Sequence, residues 1–203
     1  MRIFTAALFA ALIFTSEAQA DLAEGRVAYN SENWIVALAE LRPLAEEGND
    51  EALVLLGNMY NDGKGVEQNH KIAFEHYKQA LPSGNSNAML AIATMYAQGL
   101  GVDKDFPTAF EWFEKSATAG NPAAQFMMGS FYLKDQAEIS DFKADLVKSY
   151  GWFRIAARQT ELPDVAKAGK ELARRLTVQM SPQQILDGEA IADNYYKSDE
   201  VSE

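Results

Sequence analysis

Cysteine is absent from this 203-residue chain, and histidine occurs only twice. The absence of cysteine excludes disulfides, thiolate metal ligands and a thiol nucleophile. His70 and His76 are six positions apart and would point in different directions on a helix, so they do not indicate a metal site. We predict no cofactor. His76 is expected to pack in the core, because it takes the place of Trp112 and Trp152 in the repeats described below.

Positive charge is also scarce, because 18 Lys and Arg residues are set against 29 Asp and Glu residues, giving a net charge of −11. Nucleic acid and anionic lipid both need Lys and Arg to neutralise phosphate groups, so neither is an expected partner. An acidic surface favours solubility and is compatible with a basic protein partner.

Long apolar runs are confined to the amino terminus. Arg2 precedes an almost unbroken apolar run from Ile3 to Thr15, and Ala18-Gln19-Ala20 offers the small residues that signal peptidase reads. This layout predicts a signal peptide at residues 1–20 and a mature chain beginning at Asp21. An uncleaved anchor is the alternative, but the run is shorter than the roughly 20 residues that span a bilayer. We expect no membrane span after cleavage, and a location in the periplasm of a Gram-negative bacterium or, alternatively, secretion.

The chain is rich in internal repetition, with a period of 36 residues. Residues of the same type recur at this spacing, among them Tyr60, Tyr96 and Tyr132; Ala37, Ala73 and Ala109; and Gly48, Gly84 and Gly120. A fixed period of this length indicates one helical unit copied along a solenoid, each unit burying its apolar face against its neighbours. We predict an all-α solenoid of about four repeats, at residues 22–49, 50–85, 86–121 and 122–160.

The second repeat indicates why each unit is a helical hairpin. Asn49 is a good N-cap, and a helical apolar stripe (Ala52, Leu56, Tyr60) follows it, which predicts a first helix, helix A. Glycines then break the helix, a second apolar stripe predicts helix B, and Gly84 ends it. The positions expected to maintain the repeat are Gly57, Tyr60, Gly63, Gly65, Ala73, Tyr77, Gly84, Tyr96, Gly99, Gly101, Ala109, Trp112, Phe113, Gly120, Gly129, Tyr132 and Trp152.

The ends of the array depart from the pattern, as capping repeats do. In the fourth repeat the spacing grows by four, since Trp112 and Trp152 are 40 apart, and the glycine loop becomes a longer charged segment from Leu133 to Lys148. An altered loop is a candidate contact element, although neutral insertions also accumulate in loops. Two further helices, within 164–196, are predicted to cap the array, and residues 197–203 are predicted to form a disordered tail.

These residues resemble the SEL-one-like repeat family, a relative of the tetratricopeptide repeat. The resemblance rests on Leu56-Gly57, Met59-Tyr60, Gly63, Gly65-Val66, Ala73, Tyr77, Ala80 and Gly84-Asn85, and on the corresponding residues of the third repeat. Ser181-Pro182-Gln183-Gln184-Ile185 also looks like the closing helix of bacterial members. Three residues depart from the family pattern: His76 in place of tryptophan, Ala93 in place of glycine, and Pro82.

The resemblance implies a right-handed α-solenoid whose concave face, lined by helices A, binds a protein or peptide. Nine residues opposite the buried stripes would line that face, and we call them the ladder: Leu55, Asn58, Asp62, Ala91, Thr94, Gln98, Met127, Ser130 and Lys134. An exported member would act as a non-catalytic adaptor or regulator in the bacterial envelope. The alternative in the same class is a secreted factor that binds host or environmental proteins. The oligomeric state does not follow from the sequence.

An enzyme is the third alternative, because some secreted relatives have been linked to penicillin binding. Ser140-Asp141-Phe142-Lys143 has the S-x-x-K spelling of a penicillin-recognising serine. Such a serine needs a helical start and companion S-D-N and K-T-G motifs, and the sequence contains neither companion. The S-x-x-K match is therefore interpreted as chance, and no catalytic residue is predicted.

Overall fold

The computed structural model describes residues 22–140, 142–159 and 162–200, and these residues contain helices but no β-strand. The predicted signal peptide therefore lies outside the described residues. The helices are α1 (22–30), α2 (Trp34–Glu46), α3 (Asp50–Asp62), α4 (His70–Gln79), α5 (Ser86–Gln98), α6 (Phe106–Thr118), α7 (Pro122–Phe131), α8 (Leu146–Ala156), α9 (Pro163–Leu176) and α10 (Pro182–Glu200). A short 3₁₀ turn at Leu81–Ser83 follows α4.

Asparagine side chains begin helix A in three successive repeats. Asn49 Oδ1 accepts a 3.0 Å hydrogen bond from the Ala52 amide, and Asn121 Oδ1 accepts one of 3.0 Å from the Ala124 amide. Between them, Asn85 Oδ1 accepts from the amides of α5 in the same way. Each bond satisfies an amide that has no partner within its helix. The N-cap predicted at Asn49 is thus confirmed, and the same cap recurs in the next two repeats.

The helices form two compact units, and the first contains α1 to α4 together with residues 100–102. Helix α3 packs against both α2 and α4. A Cβ atom on Gly57 would lie 2.5 Å from the Tyr77 ring, so α3 and α4 approach as closely as they do only because residue 57 has no side chain. The predicted stripe faces this core, with Ala52 and Leu56 buried and Tyr60 half-buried.

The second unit contains α5 from Met89 onwards and α6 to α10. It repeats the close approach, because a Cβ atom on Gly129 of α7 would lie 2.7 Å from the Phe153 ring of α8. One cluster of buried residues surrounds Phe113, and a second includes Tyr150, Phe153 and residues of α9. The apolar stripes predicted from the 36-residue period therefore form the cores of both units.

The fourth repeat keeps its hairpin despite the insertion. In the second and third repeats, one backbone hydrogen bond closes the loop between the two helices: the Asn69 amide donates to the Tyr60 carbonyl, and the Asp105 amide donates to the Tyr96 carbonyl. Donor and acceptor are nine residues apart in both. In the fourth repeat the Asp145 amide donates to the Tyr132 carbonyl, thirteen residues earlier. The four extra residues therefore lie within a loop that is closed by the same bond. The loop is shorter than predicted, because the Asp145 side chain caps the amides of Val147 and Lys148 and α8 begins at Leu146.

Helices α9 and α10 pack against α8 at the carboxyl end of the described residues. Glu189 of α10 accepts a 2.6 Å hydrogen bond from the Tyr150 hydroxyl, and it forms a 3.0 Å ion pair with Arg154. Helix α10 continues to Glu200, so the prediction of a disordered tail was wrong for 197–200; residues 201–203 lie outside the described residues.

Candidate functional site

The ladder residues are half-buried or exposed in all three repeats, and none of them is buried. On α3, Leu55 and Asn58 are half-buried and Asp62 is exposed, whereas the neighbouring positions 52–54, 56, 57 and 59 are buried. In the second unit, the same half-buried or exposed state holds for Ala91, Thr94, Gln98, Met127, Ser130 and Lys134. The ladder side chains are thus exposed to solvent to different degrees. Some of them contact another helix or the core, and others bond to their own helix.

Asn58 and Asp62, in the first unit, already have partners within the chain. Asn58 Oδ1 accepts a 2.8 Å hydrogen bond from the hydroxyl of Tyr77 on α4. Burial raises the pKa of Tyr77, so the phenol remains protonated and able to donate across the physiological range. Asp62 forms a 2.9 Å ion pair with Lys64 in the loop that follows. Asn58 therefore has a structural role that the periodicity of the sequence did not reveal.

Thr94 and Ser130 occupy corresponding positions on α5 and α7, and both hydroxyls bond back to their own helix. Thr94 Oγ1 donates to the Leu90 carbonyl at 2.9 Å, and Ser130 Oγ donates to the Phe126 carbonyl at 3.1 Å. Bonds of this kind hold the side chain against its own helix and contribute little to packing between helices. These two positions therefore suit substitutions that test the surface without disturbing the fold.

Two ladder residues of the fourth repeat differ from expectation. Met127 packs against the core cluster around Phe113, so much of its side chain serves the fold. Lys134 was predicted on helix A but lies beyond α7, which ends at Phe131. The side chain of Gln136 explains this early end, because its Nε2 atom donates to the carbonyl oxygens of Phe131 and Lys134, at 2.7 and 3.2 Å.

The inserted loop between α7 and α8 is held by several contacts. Phe142 packs on Phe110 and Tyr132, with ring centroids 5.2 Å apart in each case. Asp135 accepts a 2.8 Å hydrogen bond from the Ala144 amide and pairs with Lys143 at 3.5 Å. The loop still presents an exposed edge that includes Leu133, Glu138 and Ser140.

The S-x-x-K match falls within this loop. Ser140 is exposed at a turn, not at the start of a helix, and Asp141 lies outside the described residues. Lys143 pairs with Asp135, and both side chains are largely exposed. A penicillin-recognising serine sits at a helix start beside its lysine, so this arrangement does not provide that chemistry.

The two histidines lie in the first unit and have different surroundings. His70 Nδ1 forms a 3.0 Å hydrogen bond with Asn61 Oδ1. The His76 ring stacks on Tyr60 with 5.5 Å between centroids, but its Nδ1 atom is buried without a hydrogen-bond partner among the described residues. Burial also lowers the pKa of His76, so the imidazole is neutral at neutral pH. Alignment with Trp112 and Trp152 predicted packing for His76, but gave no sign of the unpaired nitrogen.

The described part of the chain contains neither a cluster of metal ligands nor a helix that could span a membrane. Within residues 22–140, 142–159 and 162–200, no three His, Asp or Glu side chains come together as a metal site requires. None of the helices in these ranges is both long enough and apolar enough to cross a bilayer.

Comparison with known proteins gives results at the level of sequence and of fold. A family model of the Sel1 repeat matches residues 50–84, 86–121 and 122–160. These ranges agree with the second, third and fourth predicted repeats, and they include more than half of the chain. No functionally curated protein matches the sequence significantly.

Two solved bacterial structures are similar to this chain. A Sel1 repeat protein from Oxalobacter formigenes is 32% identical over 60% of this chain and 34% of its own, with a TM-score of 0.56. The second, c5321, is a protective antigen of uropathogenic Escherichia coli strains with an SLR fold. It is 23% identical over 92% of this chain and 48% of its own, with a TM-score of 0.56, and at that identity it supports the fold alone. The chain thus spans less than half of the length of each of these two structures.

The sequence match and the helical hairpins identify the family: this chain belongs to the Sel1 repeat family.

Proposed function

We propose that this protein is an exported, non-catalytic adaptor or regulator of the bacterial cell envelope that binds a protein or peptide through the ladder. Sel1 repeat proteins generally mediate protein–protein interactions and typically serve as non-catalytic scaffolds. The observation that carries the proposal is the recurrence of half-buried or exposed side chains at one register of the first helix in three successive repeats.

The character of the ladder indicates what kind of partner it suits. It combines apolar groups such as Leu55 and Ala91 with hydrogen-bonding groups such as Gln98 and Ser130. An extended peptide offers both backbone hydrogen bonds and alternating side chains, and it would match such a surface. A basic partner would be attracted by the net charge of −11, with an association rate that falls as salt is added.

Export is supported by the first twenty residues, which have the layout of a signal peptide. Amino-terminal sequencing of the protein recovered from the periplasm should begin at Asp21. A sequence beginning at Met1, with the protein in the membrane fraction, would instead indicate the uncleaved anchor. Recovery from the cytoplasm would contradict export altogether.

Affinity capture from the envelope fraction, followed by mass spectrometry, tests the adaptor function. Thr94→Lys and Ser130→Lys together place two bulky charges at the ladder and should abolish co-purification of the partner. Thr118→Lys is the matched control, because Thr118 also bonds back to its own helix, with Oγ1 2.9 Å from the Glu114 carbonyl, but lies on α6.

The melting temperatures of the variants separate a lost surface from a lost fold. We expect both the double variant and the control to melt within a few degrees of the wild type. Thr118 is exposed, and the hydroxyls of the half-buried Thr94 and Ser130 bond to their own helices and not to a neighbouring helix. Retention of every partner by the double variant would show that the ladder is not the binding surface.

A further inference from the structure

A pocket of about 220 Å³ lies within the first unit, between α2, α3 and α4. Helix α2 contributes Arg42, Ala45 and Glu46, α3 contributes Leu56 and Tyr60, and α4 contributes His76 and Gln79. We call it the His76 pocket. Leu56 and Tyr60 belong to the apolar stripe of α3, whereas the ladder occupies the opposite side of that helix. The pocket is therefore separate from the proposed binding surface.

The other repeats place a larger ring where His76 stands. Thirty-six residues after His76 comes Trp112, which packs against the core of the second unit. Lys115, which corresponds to Gln79, lies over that indole with Nζ 4.3 Å from the ring centroid. In the fourth repeat the corresponding Trp152 contacts the Tyr195 ring at 6.2 Å. An imidazole is smaller than an indole, so the second repeat has less ring volume at this position and a pocket beside it.

The surfaces of the pocket suit a flat, partly polar group. The Tyr60 and His76 rings stack with 23° between their planes, and Leu56 adds an apolar wall. His76 Nδ1 is buried with no partner in the described structure, so a bound group would meet the rings of His76 and Tyr60 and not this nitrogen. Arg42 and Glu46 line the pocket from α2 and are exposed. A guanidinium in this position can lie against the face of an aromatic ring.

The size of the pocket favours one side chain over a whole small molecule. Pockets that bind drug-sized ligands usually enclose about 300–1,000 Å³, which is more than the 220 Å³ available. Aromatic residues are also the commonest anchors at protein interfaces, where they fill pockets and find a partner for their polar atom.

We propose that the His76 pocket binds one aromatic side chain of a protein partner, an indole or a phenol that packs against the Tyr60 and His76 rings. The bound ring fills the space that, in the next repeat, is filled by the larger side chain of Trp112. This site rests on the proposed protein-binding function, but it does not rest on the ladder.

Nuclear magnetic resonance of the purified protein, labelled at its two histidines, provides the test, with N-acetyl-L-tryptophanamide as the probe. We expect saturable shifts of the His76 ring nitrogens with a dissociation constant on the order of 1 mM, as suits a single unlinked side chain. His70 is the internal reference and should not shift, because Asn61 already holds its Nδ1. N-acetyl-L-leucinamide should bind at least fivefold more weakly.

Two substitutions close the pocket with residues taken from the next repeat. His76→Trp copies Trp112 and Ala45→Leu copies Leu81, and each should weaken probe binding at least tenfold without lowering the melting temperature. Probe binding to His76→Trp is followed through the backbone amide of Gln79, in protein that is uniformly labelled with nitrogen-15. If one variant fails to fold, the other still gives the result.

Three outcomes would overturn the proposal: no His76 shift at saturating probe, unchanged affinity in the closed-pocket variants, or equal affinity for the leucine probe. The Thr94→Lys and Ser130→Lys variant should bind the probe like the wild type. A negative result for the His76 pocket would therefore not count against binding at the ladder, and a negative result for the ladder would not count against the pocket.

Discussion

The Tyr77 hydroxyl donates a 2.8 Å hydrogen bond to Asn58 Oδ1, so a residue of the ladder also joins α3 to α4. Asn58→Ala removes the acceptor and leaves the Tyr77 hydroxyl, which is largely buried, without its partner. We expect a loss of about 1–3 kcal/mol in the free energy of unfolding, measured by urea denaturation. Tyr77→Phe in the same background should recover part of that loss, because it also removes the unpaired donor.

Unchanged stability in Asn58→Ala would mean that this bond does not hold the two helices together in solution. The same bond makes Asn58 a poor site for testing partner binding, since a lost partner could then reflect a weakened fold. Thr94 and Ser130 avoid this difficulty, because their hydroxyls bond only to their own helices.

The elements that repeat were predictable from the sequence. A cap such as Asn49, a close approach such as that of Gly57 to Tyr77, and a buried stripe all recur at fixed spacing, so each copy supports the interpretation of the others. The family resemblance is confirmed on the same residues. The register of the eight ladder residues on α3, α5 and α7 also follows from helical periodicity, whereas Lys134 lies beyond α7. Partner binding at the ladder stays a prediction.

The elements that occur once were less predictable. The end of α7 depends on the Gln136 side chain, and the start of α8 depends on the cap formed by Asp145. Both act through local hydrogen bonds that leave no periodic signal. His76 shows a different limit: comparison with Trp112 identified its position in the repeat, but the pocket depends on three helices together.

The contact between α8 and α10 predicts a specific response to high pH. Burial, followed by the hydrogen bond to Glu189, raises the pKa of Tyr150 to about 12 from its ordinary value of 10.0. A raised folded-state pKa adds stability that is complete below about pH 10, the pKa of the unfolded chain, and is lost as the pH rises toward 12.

Tyr150→Phe removes this ionisation and the hydrogen bond while keeping the ring. The wild type should exceed the variant by about 1–2 kcal/mol in the free energy of unfolding at neutral pH. The difference should shrink between pH 10 and 12, as followed by urea denaturation at a series of pH values. A constant difference across that range would show that Tyr150 and Glu189 are not coupled as described.

The inserted loop predicts a contrast between two of its residues. Phe142 packs between Phe110 and Tyr132, whereas Glu138 is exposed. Phe142→Ala should lower the free energy of unfolding by about 2 kcal/mol, which is less than for a fully buried phenylalanine because Phe142 is only half-buried. Glu138→Ala should stay within about 0.5 kcal/mol of the wild type. Equal effects in urea denaturation would indicate that Phe142 does not hold the loop against the core.

Binding through the ladder is tested most directly by calorimetric titration of the captured partner into the purified protein. Thr94→Lys with Ser130→Lys should raise the dissociation constant at least tenfold, because two charges would be placed against the partner without a counter-charge. Thr118→Lys should leave the dissociation constant within about twofold of the wild type, because that position lies on α6 and outside the ladder. Equal affinity of the wild type and the double variant, both folded, would contradict binding through the ladder.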